Sequence, residues 1–221
     1  MVDDSSLTYT NATYVKVLFS KLYKYACKHE VVEKNYASFV EVHQENNIES
    51  GEPFTQQELD LLWANSEDKT VQMILIMIYT GFRISAFETI KVNLDERILQ
   101  GGVKTKAGKD RIVPIHDSIF EFIKNCDFSS FSTQQFRRGN FYPKMKELGI
   151  DMTESGKKRT PHDCRHTFSW LCDTYEINDF CKHLLMGHSL GNDVEKSVYG
   201  HRTLDQLRKE IDKIKVQPAN R

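Results

Sequence analysis

No run in this 221-residue chain approaches the ~20 consecutive apolar residues of a membrane-spanning helix. Its most apolar stretch, Met73 to Tyr79, is far shorter and reads as a buried helix. No signal-peptide pattern opens the chain. The five cysteines, at 27, 126, 164, 172 and 181, form no C-x-x-C pair and leave an odd count. A disulfide-stapled secreted scaffold is therefore not expected, and ordinary thiols in a reducing cytoplasm are. A basic excess is missing too: 30 Lys and Arg against 31 Asp and Glu give a net charge of −1, which taken alone argues against a nucleic-acid partner.

What is present is ordinary in amount and uneven in placement. Hydrophobic content of 39% and charged content of 28% suit a soluble globular chain long enough to bury most of its core. Residues 1–100 hold 9 Lys and Arg against 15 Asp and Glu, whereas residues 103–165 hold 13 against 8. The near-neutral total thus conceals a basic segment, which by itself is also what a solvated charged face looks like.

Start and stop signals divide the chain. Val15, Leu18, Phe19, Leu22 and Tyr25 recur at helical spacing and predict an amphipathic helix over 14–28, followed by a polar, acidic linker at 44–52. Pro53 and the capping-box pattern Thr55-x-x-Glu58 open a second domain. An all-round apolar helix over about 69–79 follows, ended by Gly81, which leaves Arg83 at a turn beside the core and in need of a partner or a ligand. Residues 93–115 read as short antiparallel strands around a turn at Ala107-Gly108-Lys109, with Lys106 near the hairpin tip. Thr160-Pro161-His162-Asp163 is a strong helix start that puts His162 and Arg165 on one face. Asn178 or Asp179 starts a further helix that Gly187 ends, with Phe180, Leu184 and Leu185 expected inside and His188 just beyond. Thr203-x-x-Gln206 opens a last helix with Leu204, Leu207, Ile211 and Ile214 on one face. The fold class expected is α+β, mostly helical, with a small antiparallel sheet and a C-terminal tail helix.

Arg83, Lys106, His162, Arg165, His188 and Tyr199 together describe a site for attack on a phosphodiester. Two guanidiniums can hold the charge that builds on non-bridging oxygens, a lysine can protonate a leaving sugar oxygen, and a tyrosine attacks once a neighbour accepts its proton. Singly, each has an ordinary alternative: a structural ion pair, a solvated lysine, a satisfied histidine.

Thr80-Gly81-Phe82-Arg83, Pro161-His162-Asp163-Cys164-Arg165-His166, Leu185-Met186-Gly187-His188 and Val198-Tyr199-Gly200-His201 resemble the boxes of tyrosine recombinases of the phage-integrase type, from about Pro53 onward. Val103 to Ile115 is similar to the family's lysine-bearing hairpin, with Lys106 the match and Lys104 its rival. The resemblance implies a remnant of the core-binding domain and linker at 1–50 and a catalytic domain at 51–202. It also implies a helix at 203–221 that docks on a neighbouring protomer, and a chain truncated at an artificial or internal Met1. It implies a nucleophilic Tyr199, a 3′-phosphotyrosyl intermediate, and no metal or ATP. Its partners would be double-stranded DNA attachment sites, a homotetramer on DNA and accessory bending or excision factors, with no membrane, in a bacterial or phage-encoded, nucleoid-associated setting. Lys104, Lys109, Arg111, Lys157, Lys158 and Arg159 are the expected DNA contacts. One departure is Ala86, where the family often has an acid: either Glu88 substitutes from another angle or Arg83 is held less firmly. The alternatives are a type IB topoisomerase, a DNA-binding relative that does not cleave, and a zinc hydrolase built on His162 and His166.

Overall fold

Residues 9–42, 51–102, 111–188 and 204–216 are described by the structure, a computed structural model. The chain divides into two compact units, Met1–Ser50 and Gly51–Arg221. In the first, the expected amphipathic helix is α1, Tyr9–Lys28, which begins one turn and more before its apolar spacing does. Glu30, left-handed at φ 56°, turns the chain into a 3₁₀ turn at Tyr36–Phe39. The two segments are tied by the Asn35 amide donating to the Ser20 carbonyl at 3.3 Å and by Tyr23 meeting Tyr36 edge to face.

In the second unit the caps form where the local sequence asks for them. The Thr55 hydroxyl accepts from the Glu58 N–H at 3.3 Å and the Glu58 carboxylate accepts from the Thr55 N–H at 2.7 Å, starting α2, Gln56–Ala64. Asp68 accepts from the N–H groups of Thr70 and Val71 and starts α3, Lys69–Thr80. Val71 and every residue from Met73 to Thr80 are buried, so α3 is the central helix and its apolar periodicity runs all round. Gly81 ends it in the left-handed conformation at φ 61°. A Cβ there would lie 2.3 Å from Cδ1 of Phe168, so two independent constraints require glycine.

Three short strands, β1 (Lys91–Asn93), β2 (Ile98–Gly101) and β3 (Arg111–Pro114), form an antiparallel sheet in that order, with Leu99 opposite Val113 and Gly101 opposite Arg111. Leu99 and Val113 are fully buried while Ile112 is exposed, so one face of β3 looks into the core. Beyond the sheet come α4 (Phe120–Lys124) and α5 (Thr133–Gln135). A wider, π-helical stretch at Phe136–Phe141 leads into α6 (Tyr142–Glu147). Phe82, Phe87, Phe131 and Phe136 make a chain of ring contacts, with centroids 5.5 to 5.9 Å apart, that anchors this region to the end of α3.

The helix α7, Pro161–Thr174, packs more extensively on α3 than any other element does. Its start is held by the Asp163 carboxylate, which accepts from both the backbone N–H and the hydroxyl of Thr160. Asn178 caps α8, Asp179–Met186. Its buried residues are Cys181, Leu185 and Met186, whereas Phe180 and Leu184, expected inside, are half-buried. The last described helix, α9 (Leu204–Ile211), lies against β3 and α8 with Leu207, Ile211 and Ile214 buried. His116 clasps this end of the chain: its Nδ1 accepts from the Ser118 N–H and its Nε2–H donates to the Ile214 carbonyl at 3.0 Å.

Candidate active site

Three helix ends meet at one arginine. Arg165, in the second turn of α7 and 3% exposed, donates from Nη1 to the Gly81 carbonyl and from Nη2 to the Met186 carbonyl, both at 2.5 Å. These carbonyls belong to the C-terminal caps of α3 and α8, where unpaired backbone oxygens and the helix dipoles leave partial negative charge. Such an end suits a cation, and it offsets part of the penalty for burying one.

His188 follows the left-handed Gly187 (φ 63°), and its N–H returns to the His183 carbonyl at 3.1 Å. Its Nε2 lies 3.1 Å from Nη2 of Arg165. A guanidinium can only donate, so this nitrogen accepts, the ring is neutral and its proton sits on Nδ1. Burial, then Arg165, His183, Arg83 and Arg111, hold the pKa of His188 below its ordinary value.

Arg83 is half-buried two residues past the Gly81 cap and opens a 3₁₀ turn at Ile84–Glu88. Arg111, on β3 and 8% exposed, places its guanidinium carbon 4.0 Å above the Phe82 ring. The three arginines act on one another. Burial and the charge of Arg83 lower Arg165 to about 10, and burial, Arg165 and Arg83 lower Arg111 to about 8. His162, on the first turn of α7, is lowered by burial, then by His166, Arg165 and Arg83. Among the described residues no carboxylate pairs with Arg83, Arg111 or Arg165. Three guanidiniums and two imidazoles thus converge where an anion would neutralise the arginine charge.

No family model matches the chain. Among curated proteins it is 24% identical over 155 residues to the tyrosine recombinase XerD of Vibrio cholerae, covering 62% of this chain and 50% of that one. It is 29% identical over 161 residues to the tyrosine recombinase XerA of Pyrococcus furiosus, covering 64% and 54%. The chain therefore spans about half the length of the curated relatives it matches. Among solved structures, it superimposes on the Tn1549 transposon integrase in complex with circular intermediate DNA, with a TM-score of 0.66 at 21% identity, over 95% of this chain and 81% of that one. A lambda integrase dimer bound to a COC' core site gives a TM-score of 0.64 at 16% identity, over 87% and 59%.

The chain is similar in sequence to tyrosine recombinases and has the fold of their catalytic domain. Its mostly helical build with a small antiparallel sheet is that fold.

Of the six residues expected to do chemistry, the structure brings together Arg83, His162, Arg165 and His188. Lys106 and Tyr199 lie outside the described residues, as do Lys104 and Lys109. Two expected DNA contacts are corrected. Arg159 is 1% exposed and held by Glu58 in a two-oxygen ion pair at 2.7 and 2.8 Å, stacked on Phe54, so it is a buried structural cation and not a surface contact. Arg111 is likewise buried, inside the arginine cluster. Lys157 and Lys158 are exposed on a hairpin, Lys158 lying 4.4 Å over the Tyr142 ring. Glu88 is not Arg83's substitute acid, because its carboxylate accepts from the Thr133 N–H at 2.9 Å. His162 and His166 do touch, edge to face at 4.8 Å, but no third metal-ligating side chain joins them among the described residues. The carbonyl anchors of Arg165 leave no mark in the sequence, whereas Arg111's inward aim is foreshadowed by the period of two along Arg111-Ile112-Val113.

Proposed function

We propose that this chain belongs to a site-specific recombinase that cleaves and rejoins DNA through a 3′-phosphotyrosyl intermediate, integrating or excising a mobile element. One observation carries this reading: Arg83, Arg165, His162 and His188 converge, with no carboxylate paired to either arginine among the described residues, in a fold whose relatives are tyrosine recombinases and integrases. The phosphate of a DNA strand is the anion of matching charge and geometry.

In the proposed reaction the Tyr199 oxygen attacks the scissile phosphorus as the bond to the 5′ oxygen breaks. The tyrosine proton passes to His162, whose lowered pKa leaves it neutral and able to accept near pH 7. Lys106 gives a proton to the departing 5′ oxygen. Arg83 and Arg165 hold the non-bridging oxygens, and the neutral His188 donates from Nδ1. The products are a tyrosyl phosphodiester and a free 5′ hydroxyl. Attack by the 5′ hydroxyl of a partner strand on the equivalent ester reverses these steps and joins the exchanged strands. The bond energy stays in the ester, so the scheme uses neither a metal ion nor ATP. Double-stranded attachment sites and a homotetramer linked through the C-terminal helix are the partners that fit.

Covalent capture tests it. Wild-type chain and Tyr199→Phe are incubated with nicked suicide DNA in EDTA, using candidate element-end sequences and a random pool, and run on a denaturing gel. A shifted protein–DNA band in wild type and none in the variant is expected. DNA binding without a covalent band in wild type would overturn the proposed chemistry for this chain.

A further inference from the structure

Arg111 is the buried charge that the recombination scheme leaves unused. Its Nε and Nη2 are shielded from solvent and have no hydrogen-bond partner among the described residues. The other deeply buried arginines have strong acceptors, Arg159 in Glu58 despite its own unpaired Nε and Arg165 in two helix-end carbonyls. Among the described residues, Arg111 lies over the face of Phe82, 4.0 Å away, and Phe82 immediately precedes Arg83 in the chain. A guanidinium in water-poor surroundings beside two others is a destabilising arrangement. Replacing it with an apolar side chain of similar length would relieve the free chain, so its presence needs a compensating anion.

Resting on the recombinase reading, we propose that Arg111 is a third, buried charge of the phosphate site, one that acts on phosphoryl oxygens held by Arg83 and Arg165 through the low-dielectric interior beneath them. Its role is affinity through charge, not a hydrogen-bonding fork: both Nε and Nη2 are enclosed, whereas a charge in a poorly screened interior is felt several ångströms away. The depressed pKa of Arg111, whose causes after burial are Arg165 and Arg83, agrees with that placement. The free chain therefore holds the site in a strained, anion-seeking state, and the bound phosphate releases the strain.

The test is thermal unfolding of the chain at pH 6.5 with inorganic phosphate against sodium chloride at equal ionic strength, for wild type, Arg111→Met and Arg111→Lys. Without phosphate, Arg111→Met should melt about 2–4 °C above wild type, because an unpaired buried charge is gone. Its phosphate-induced rise in melting temperature should need a phosphate concentration at least about tenfold higher than wild type, while Arg111→Lys, which keeps the charge, should retain most of the response. A melting temperature lowered by Arg111→Met with the phosphate response intact would show a packing role and overturn the inference. So would equal loss of the response in Met and Lys variants. Because no step depends on Tyr199, failure of covalent capture beside an Arg111-dependent phosphate response would remove the recombination chemistry and leave this inference standing.

Discussion

Three buried arginines in one domain show that the surroundings of a side chain, not its type, decide its part. Among the described residues, Arg159 is matched by a carboxylate, Arg165 by backbone oxygens, and Arg111 by an aromatic face. For the first, removing the counter-charge has a definite consequence. Glu58→Gln keeps the shape and one acceptor but leaves the Arg159 charge buried at 1% exposure. Chemical denaturation should show a loss of about 3 kcal/mol, the low end for breaking a buried pair. The double change Glu58→Leu with Arg159→Met should restore part of it, and an unchanged midpoint in the single variant would contradict the assignment of Arg159 to the scaffold. Sequence reading could not separate these arginines. Arg159 sits in a Lys-Lys-Arg run that looks like a phosphate-contacting edge, and its partner lies 101 residues earlier.

Elements, in contrast, were legible wherever a local signal set them. The capping pair of Thr55 and Glu58 and the glycine stops at 81 and 187 all act within a turn of chain, and all form as read. Capping at Thr160 and Asp163 does too, through the aspartate. The π-helical winding at Phe136–Phe141 was not read from the sequence; there the rings of Phe131, Phe136 and Phe141, five residues apart, meet in succession at 5.5 and 6.5 Å. Nor was the divided burial along α8, where contacts with α7 and α9 choose the buried face. Gly81 is the most exacting element boundary. Gly81→Ala would force a side chain into left-handed backbone and against Phe168, 2.3 Å away. We expect a destabilisation of about 2–4 kcal/mol by urea unfolding, and the proposed covalent capture should weaken as well because the Arg165 anchor moves. Wild-type stability in that variant would show that the cap relaxes freely.

Across the whole domain, titration gives the fold an acid limit. His116, His162 and His188 are all lowered from the ordinary value of 6.5, with burial the largest cause each time. Each ring is neutral when folded, while the unfolded chain takes up protons as pH falls through 6.5, so stability declines with pH from there down to the folded pKa values. The carboxylates held low, Glu52, Asp68, Glu88 and Asp127, act in the same direction only near and below their ordinary values of 3.8 to 4.5, a separate and lower step. Melting temperature should fall by roughly 2–6 °C between pH 7.5 and 5.5. A flat profile over that interval would mean the three rings are not kept neutral by the fold. His116→Gln should flatten part of it, because that ring joins the sheet side of the domain to the chain end at Ile214.

The anchoring of Arg165 by Gly81 and Met186 has a consequence for how this domain tolerates change. Both acceptors are main-chain oxygens, so every amino acid carries them. Exchange of Met186 for another residue that keeps α8 intact deletes a side chain but not the acceptor. A scan of single substitutions would therefore score position 186 by its packing and overlook its hold on the arginine. Only displacement of the backbone, such as a one-residue insertion or deletion near the end of α8, would reveal it. Sequence drift is filtered out at this joint, while shifts in chain length pass straight through to the site.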